Sequence, residues 1–108
     1  MEIVGLLKAC PHFRLVGRGF QNQLVLRFQP ETYPAGELIM RAGAIDSMIF
    51  VRSGVVSQYG AISASGSVFG MEAIAENAKM SKPVTAVTNV EIFRLSRRAI
   101  REVLARAT

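Results

Sequence analysis

Apolar residues recur along this chain at two different spacings, and the change from one to the other divides it into three parts. Near the start, Ile3, Leu6, Leu7 and Cys10 recur at helical spacing, as do Phe20, Leu24 and Phe28, which predicts two helices around a turn near Pro11 and Gly17. Pro30 is expected to close the second helix. Beyond it the pattern shortens to strands: Leu38 to Met40, Met48 to Val51, Val55 to Tyr59, Ala61 to Ala64, Val84 to Val87 and Glu91 to Leu95. Gly36, Gly43, Gly54, Gly60 and Gly66 fall at turn spacing between them, and Glu31, Glu37 and Asp46 fall in predicted turns. Ser96 then has the side chain of a helix N-cap, ahead of a helix whose apolar face is Ile100, Val103 and Leu104. The expectation is a roll of strands with helices at both ends. A chain of 108 residues, half of them hydrophobic, supports one domain with one core.

The segment from Gly66 to Ser96 carries the chemistry. Val68 and Phe69 read as the end of a strand, Gly70 allows a turn that other residues resist, and Met71 to Glu76 are good helix formers. A helix starting there would present free amides and the positive end of its dipole, which suits a phosphate. The loop that follows lacks an obvious partner charge.

This segment resembles the phosphate-binding cassette of the cyclic-nucleotide-binding domain, the β-roll module of cyclic-nucleotide-gated channels, cyclic-nucleotide-dependent kinases and related transcription factors. The family pattern is roughly F-G-E-x-A-L, a short loop, then R-x-A-T-V; Phe69-Gly70, Ala73-Ile74 and Val84 match it. Further blocks follow the family order: Leu6-Leu7-Lys8 to Pro11-His12-Phe13, Gln23-Leu24-Val25-Leu26-Arg27-Phe28 as the helix before the first strand, Tyr33-Pro34-Ala35-Gly36-Glu37-Leu38-Ile39, and Arg41-Ala42-Gly43 with Met48 to Gly54. The resemblance implies an α+β, mainly β fold: an antiparallel β-roll, or double-stranded jelly-roll-like barrel, with flanking N- and C-terminal helices. It implies a single domain over 1–108, with N-terminal helices in 1–29, the roll in 30–95, the cassette at 69–84 and a C-terminal helix in 96–108 whose following lid is missing or truncated. By family position it makes Phe69, Gly70, Met71, Glu72, Ala73, Met80, Ser81 and Lys82 the candidate nucleotide-binding residues, with cyclic AMP or cyclic GMP as the candidate ligand and no other cofactor.

Two positions depart from the pattern. The family glutamate that takes the ribose hydroxyl falls on Met71, and the family arginine that pairs with the cyclic phosphate falls on Met80. Pro83 stands where a small hydroxyl residue is usual. Lys79 and Lys82 flank Met80 and are both within reach of a phosphate, although an ammonium lacks the guanidinium's planar fork. Glu72 is one residue past the ribose position, about 100° around a helix, and so is expected to point elsewhere. Each lost charged contact costs roughly 1.5–3 kcal/mol, enough for two to take a micromolar site to millimolar. Weak or absent cyclic-nucleotide binding is therefore expected, with Met71 and Met80 packing into the vacated space.

Charge adds one feature. The chain carries a net +5, and five arginines, Arg94, Arg97, Arg98, Arg101 and Arg106, face Glu102 alone in the last fifteen residues. A solvated helix face is the simpler account; contact with an acidic protein or an anionic lipid surface is the functional one. Nucleic acid is not expected, because no aromatic residue for base stacking lies nearby. Cys10 and His12 are close in sequence but lack a third orienting group, so they are read as a core thiol and a turn histidine. No enzyme is indicated. No metal-ligand spacing occurs, and the single cysteine excludes an internal disulfide. Arg52 is expected on the outer face of a strand. No apolar run is long enough to span a bilayer and no leader opens the chain, so a cytoplasmic location is expected. Taken with the resemblance, the expectation is a regulatory domain of a larger protein, an ion channel or transporter, on the cytosolic side of its membrane, homo-oligomeric through that parent. The alternatives are a cyclic-nucleotide sensor with an altered binding mode, or an interaction module of a kinase regulatory or scaffold protein.

Overall fold

The computed structural model describes residues 23–70 and 79–107. A helical turn at 23–25 leads into ten short strands: β1 (Gln29–Tyr33), β2 (Leu38–Met40), β3 (Gly43–Ala44), β4 (Ser47–Ser53), β5 (Val56–Gln58), β6 (Ala61–Ser63), β7 (Val68–Phe69), β8 (Lys79–Met80), β9 (Val84–Ala86) and β10 (Val90–Ser96). A closing helix, Arg97–Ala107, follows directly. One sheet runs β1-β10-β4-β7, a second β2-β9-β5-β6, and β3 pairs with β8 as a separate ribbon. Every pairing is antiparallel, so the mainly β roll expected from the sequence is the fold observed.

β4 and β10 shape the interior because each packs on both faces. From β4, Ile49 and Val51 join one apolar cluster while Met48 and Phe50 join another; from β10, Val90 and Ile92 enter the first, and Phe93 and Leu95 the second. Successive side chains of a strand point to opposite faces, so an uninterrupted apolar run is what a strand covered on both sides requires. The first cluster fills the roll with Ile39, Met40, Val56, Val84 and Ala86 from the second sheet. The second lies outside the first sheet, under Leu24 and under Ala99, Ile100 and Val103 of the closing helix. Phe28 meets Phe50 and Phe93 edge-on, with ring centroids 5.0 and 6.1 Å apart. Ser96 caps the helix, accepting from the Ala99 amide at 3.1 Å, and the Arg97 amide donates to the Asp46 carbonyl at 2.6 Å. Arg27 ties the helical turn to the closing helix through a 2.6 Å ion pair with Glu102.

Three expectations are corrected. The helical turn gives way before Phe28, and Gln29–Tyr33, expected to hold a helix end and a turn at Glu31, is strand β1. Pro30 is tolerated because β1 lies at the sheet edge, where an N–H need not enter a ladder. Gly43, expected in a turn, pairs with Met80 in the β3–β8 ribbon. The predicted helix around Ile3 to Cys10, with His12, lies outside the described residues, as do the side chains of Leu104 and Arg106.

Candidate functional site

The end of β7, the ribbon strand β8 and the end of β5 surround a pocket of about 410 Å³ lined by Gln58, Val68, Phe69, Gly70, Lys79, Met80 and Ser81. Four of the residues expected in the cassette, Phe69, Gly70, Met80 and Ser81, therefore come together. Met71, Glu72 and Ala73 lie outside the described residues. Lys82 does not line the pocket: its ammonium sits 5.0 Å from the centre of the Tyr59 ring, and its carbonyl accepts from Gln58 Nε2 at 3.1 Å.

Gly70 is fixed by backbone geometry. Its φ is +81°, and a Cβ there would lie 2.7 Å from the Ser47 carbonyl oxygen and 3.1 Å from Met40 Cε. L side chains rarely adopt that φ, and a Cβ would press on the Ser47 carbonyl, so glycine suits the point where the chain leaves β7 against the start of β4. Met80 is only 7% exposed and belongs to the cluster inside the roll, with Ile39, Met40 and Ile45. The Met80 thioether is thus part of the apolar floor. Lys79, next to it on β8 and exposed, is the one charged side chain in the described lining.

Sequence reasoning overlooked Gln58, although alternation along β5 puts it on the same side as the buried Val56. It also misassigned Arg94. That arginine is not part of a basic helical face: it lies on β10 and directs its guanidinium among four partners. Nε donates to Glu31 Oε1 at 2.8 Å, Nη1 to Ser47 Oγ at 2.9 Å, and Nη2 to the Tyr33 hydroxyl at 3.0 Å and the Ile39 carbonyl at 3.1 Å. Tyr33 in turn donates to Glu31 at 2.8 Å. Burial opposes ionisation of Glu31, but the hydrogen bonds from Arg94 and Tyr33 and the arginine's charge outweigh it and hold the carboxyl below its usual range. Burial likewise works against the Arg94 charge, and its bonds to Glu31 and Tyr33 reverse that effect and raise its pKa. This cluster joins β1, β10, β4 and β2, so its role is to clamp the roll.

On the closing helix, Arg97, Arg98 and Arg101 line a groove of about 500 Å³ with Asp46 and Glu102. Glu102 also lies 3.7 Å from Arg98, besides its contact with Arg27. Arg52 is exposed, as expected, and pairs with Glu91 at 2.8 Å. Among the described residues no helix is long and apolar enough to cross a membrane, and no three His, Cys, Asp or Glu side chains gather as a metal site.

Comparison with known proteins agrees with this geometry. The structure superposes on a cyclic nucleotide-binding-like protein from Brucella abortus with a TM-score of 0.88, at 17% identity over 97% of this chain and 99% of the other. It superposes on the regulatory domain of Toxoplasma gondii PKA, crystallised with cAMP, with a TM-score of 0.83, at 20% identity over 94% of this chain and 43% of the other. At such identities the likeness speaks for the fold. No curated protein matches the sequence. A family model, the cyclic nucleotide-binding domain, matches residues 30–107, a span that holds the roll from the second residue of β1 onward, its pocket and the closing helix. On that match the chain belongs to the cyclic nucleotide-binding domain family.

Proposed function

We propose that this chain is a regulatory module of a larger protein whose pocket takes cyclic AMP or cyclic GMP weakly. The observation that carries the reading is the burial of Met80 in the floor of the pocket, at the position where the family places its phosphate-binding arginine. Among the described residues, the turn at Gly70, the Ser81 hydroxyl, the Gln58 amide and Lys79 remain for a ligand. Losing a charged, forked contact of about 1.5–3 kcal/mol moves affinity by one to two orders of magnitude. The ligand class is supported by family membership and by the cAMP in the Toxoplasma neighbour. As parent we propose an ion channel or transporter, from the resemblance of Leu24 to Arg27 and Ala42 to Gly54, with the module on the cytosolic side; this is an argument from analogy.

Isothermal titration with cyclic AMP and cyclic GMP tests the reading. Dissociation constants on the order of 1 mM are expected. Micromolar binding that survives moderate salt would overturn it. The burial of Met80 also favours a second reading, an interaction module whose pocket is filled from within and whose roll holds other proteins. Absence of heat at millimolar ligand would select that one.

A further inference from the structure

We propose that the groove along the closing helix is a docking site for an acidic peptide segment of another protein, one whose carboxylates recur at every second residue. The groove, of about 500 Å³, shares no lining residue with the pocket between β5, β7 and β8, so a partner there is independent of any nucleotide.

Helical spacing aligns the wall of the groove. Arg97, Arg101 and Ala105 follow one another four residues apart, and Arg98 and Glu102 form the neighbouring row, so little more than one turn presents three guanidinium groups. The described lining offers two carboxylates in return, Asp46 and Glu102, and Glu102 is already engaged by Arg27 at 2.6 Å and by Arg98 at 3.7 Å. The lining therefore keeps an excess of positive charge. The Arg98 side chain is 88% exposed, and Arg101 and Asp46 are exposed as well. Like charges four residues apart on a helix oppose one another, and an anion set between Arg97 and Arg101 relieves that opposition.

Geometry selects the form of the partner. Arg97 and Arg101 stand about 6 Å apart along the helix axis. In an extended peptide, side chains two residues apart share a face at a spacing of about 7 Å. Two carboxylates so related meet the two guanidinium groups in register, each able to accept a pair of parallel hydrogen bonds. A membrane surface is the poorer occupant, because a plane of anionic headgroups would press on Asp46 and Glu102 along with the arginines, whereas a peptide can set a neutral residue beside each carboxylate.

The test is an amide NMR titration with a capped peptide of alternating glutamate and alanine, with alternating glutamine and alanine as the uncharged arm and phosphatidylserine vesicles as the lipid arm. The glutamate peptide is expected to bind and to shift the amides of Asp46 and of Arg97 to Ala105. Arg98→Gln and Arg101→Gln should each weaken it about threefold, the scale of an exposed ion pair, whereas Arg52→Gln, whose arginine pairs with Glu91 outside the groove, should not. Asp46→Asn removes the opposing carboxylate and keeps the carbonyl that receives the Arg97 amide, so it should tighten binding about twofold, a gain that no damaged fold can produce. Equal binding of the two peptides, shifts confined to another face, or weaker binding by Asp46→Asn would overturn the proposal. So would no response to the glutamate peptide, and vesicle binding that then falls in the arginine variants would assign the groove to lipid instead.

Discussion

Arg94 reaches Glu31 on the diagonal of the β1–β10 ladder: the register sets Arg94 opposite Gln29, yet its Nε donates 2.8 Å to the carboxylate two residues further along β1. A group whose folded pKa is depressed contributes stability that is present above its unfolded value and lost as pH falls through the folded one. For Glu31 that unfolded value is near 4.5. Urea midpoints followed downward from neutral pH should therefore fall through and below that region, and Glu31→Gln should flatten the acid limb while lowering the neutral plateau. An acid limb of unchanged slope would remove Glu31 from the clamp. Tyr33, whose pKa is raised by burial and by its bond to Glu31, stays protonated throughout.

Gly70→Ala is expected to destabilise the fold by about 2–3 kcal/mol, because positive φ and a close backbone approach act together. Gly36 separates the two effects. It has a φ of +90° but nothing within 4 Å of the point where a Cβ would stand, so Gly36→Ala should cost only about 1 kcal/mol. Thermal unfolding of the two variants reads the difference; equal losses would mean that the Ser47 carbonyl yields freely.

An arginine at position 80, where the resemblance puts the family's, is not a clean gain of function. Met80 packs among Ile39, Met40 and Ile45, so Met80→Arg puts a guanidinium at the edge of the core. A loss of roughly 3 kcal/mol is expected unless the side chain swings into the pocket. Denaturation with and without cyclic AMP checks this. A stable variant with micromolar affinity would show that β8 can turn its residue outward at little cost.

The β5–β6 hairpin offers an opposite case. Gln58 pairs with Ala61 around Tyr59 and Gly60, whose φ values are +54° and +87°. Two positive φ values are what a type I′ turn requires, and Asn-Gly is its preferred pair. Tyr59→Asn should therefore raise stability by about 0.5–1 kcal/mol despite the loss of the ring contact with Lys82. A drop in the thermal midpoint would show that this contact outweighs the strain of a tyrosine in that conformation.

Much of this arrangement was legible in the sequence. β2 coincides with its expected span, and β4, β5, β6, β9 and β10 differ from theirs by a residue or two, because period-two alternation and apolar runs between glycines are local signals. β1 was not legible, since a five-residue edge strand containing Pro30 and Glu31 reads as a turn. Nor was the clamp: 63 residues separate Arg94 from Glu31, and nothing near Arg94 distinguishes it from the arginines of the helix that follows. At the pocket, Gly70 and Ser81 were found from the motif.

β4 and β10 each send alternate side chains into the roll and under the closing helix, so the two apolar clusters share their walls. Neither compartment can melt while the other stays intact, since losing either strand removes both linings at once. The closing helix is thereby bound into the same cooperative unit as the pocket floor, and a disturbance at Met80 reaches Ile100 across the thickness of a single sheet.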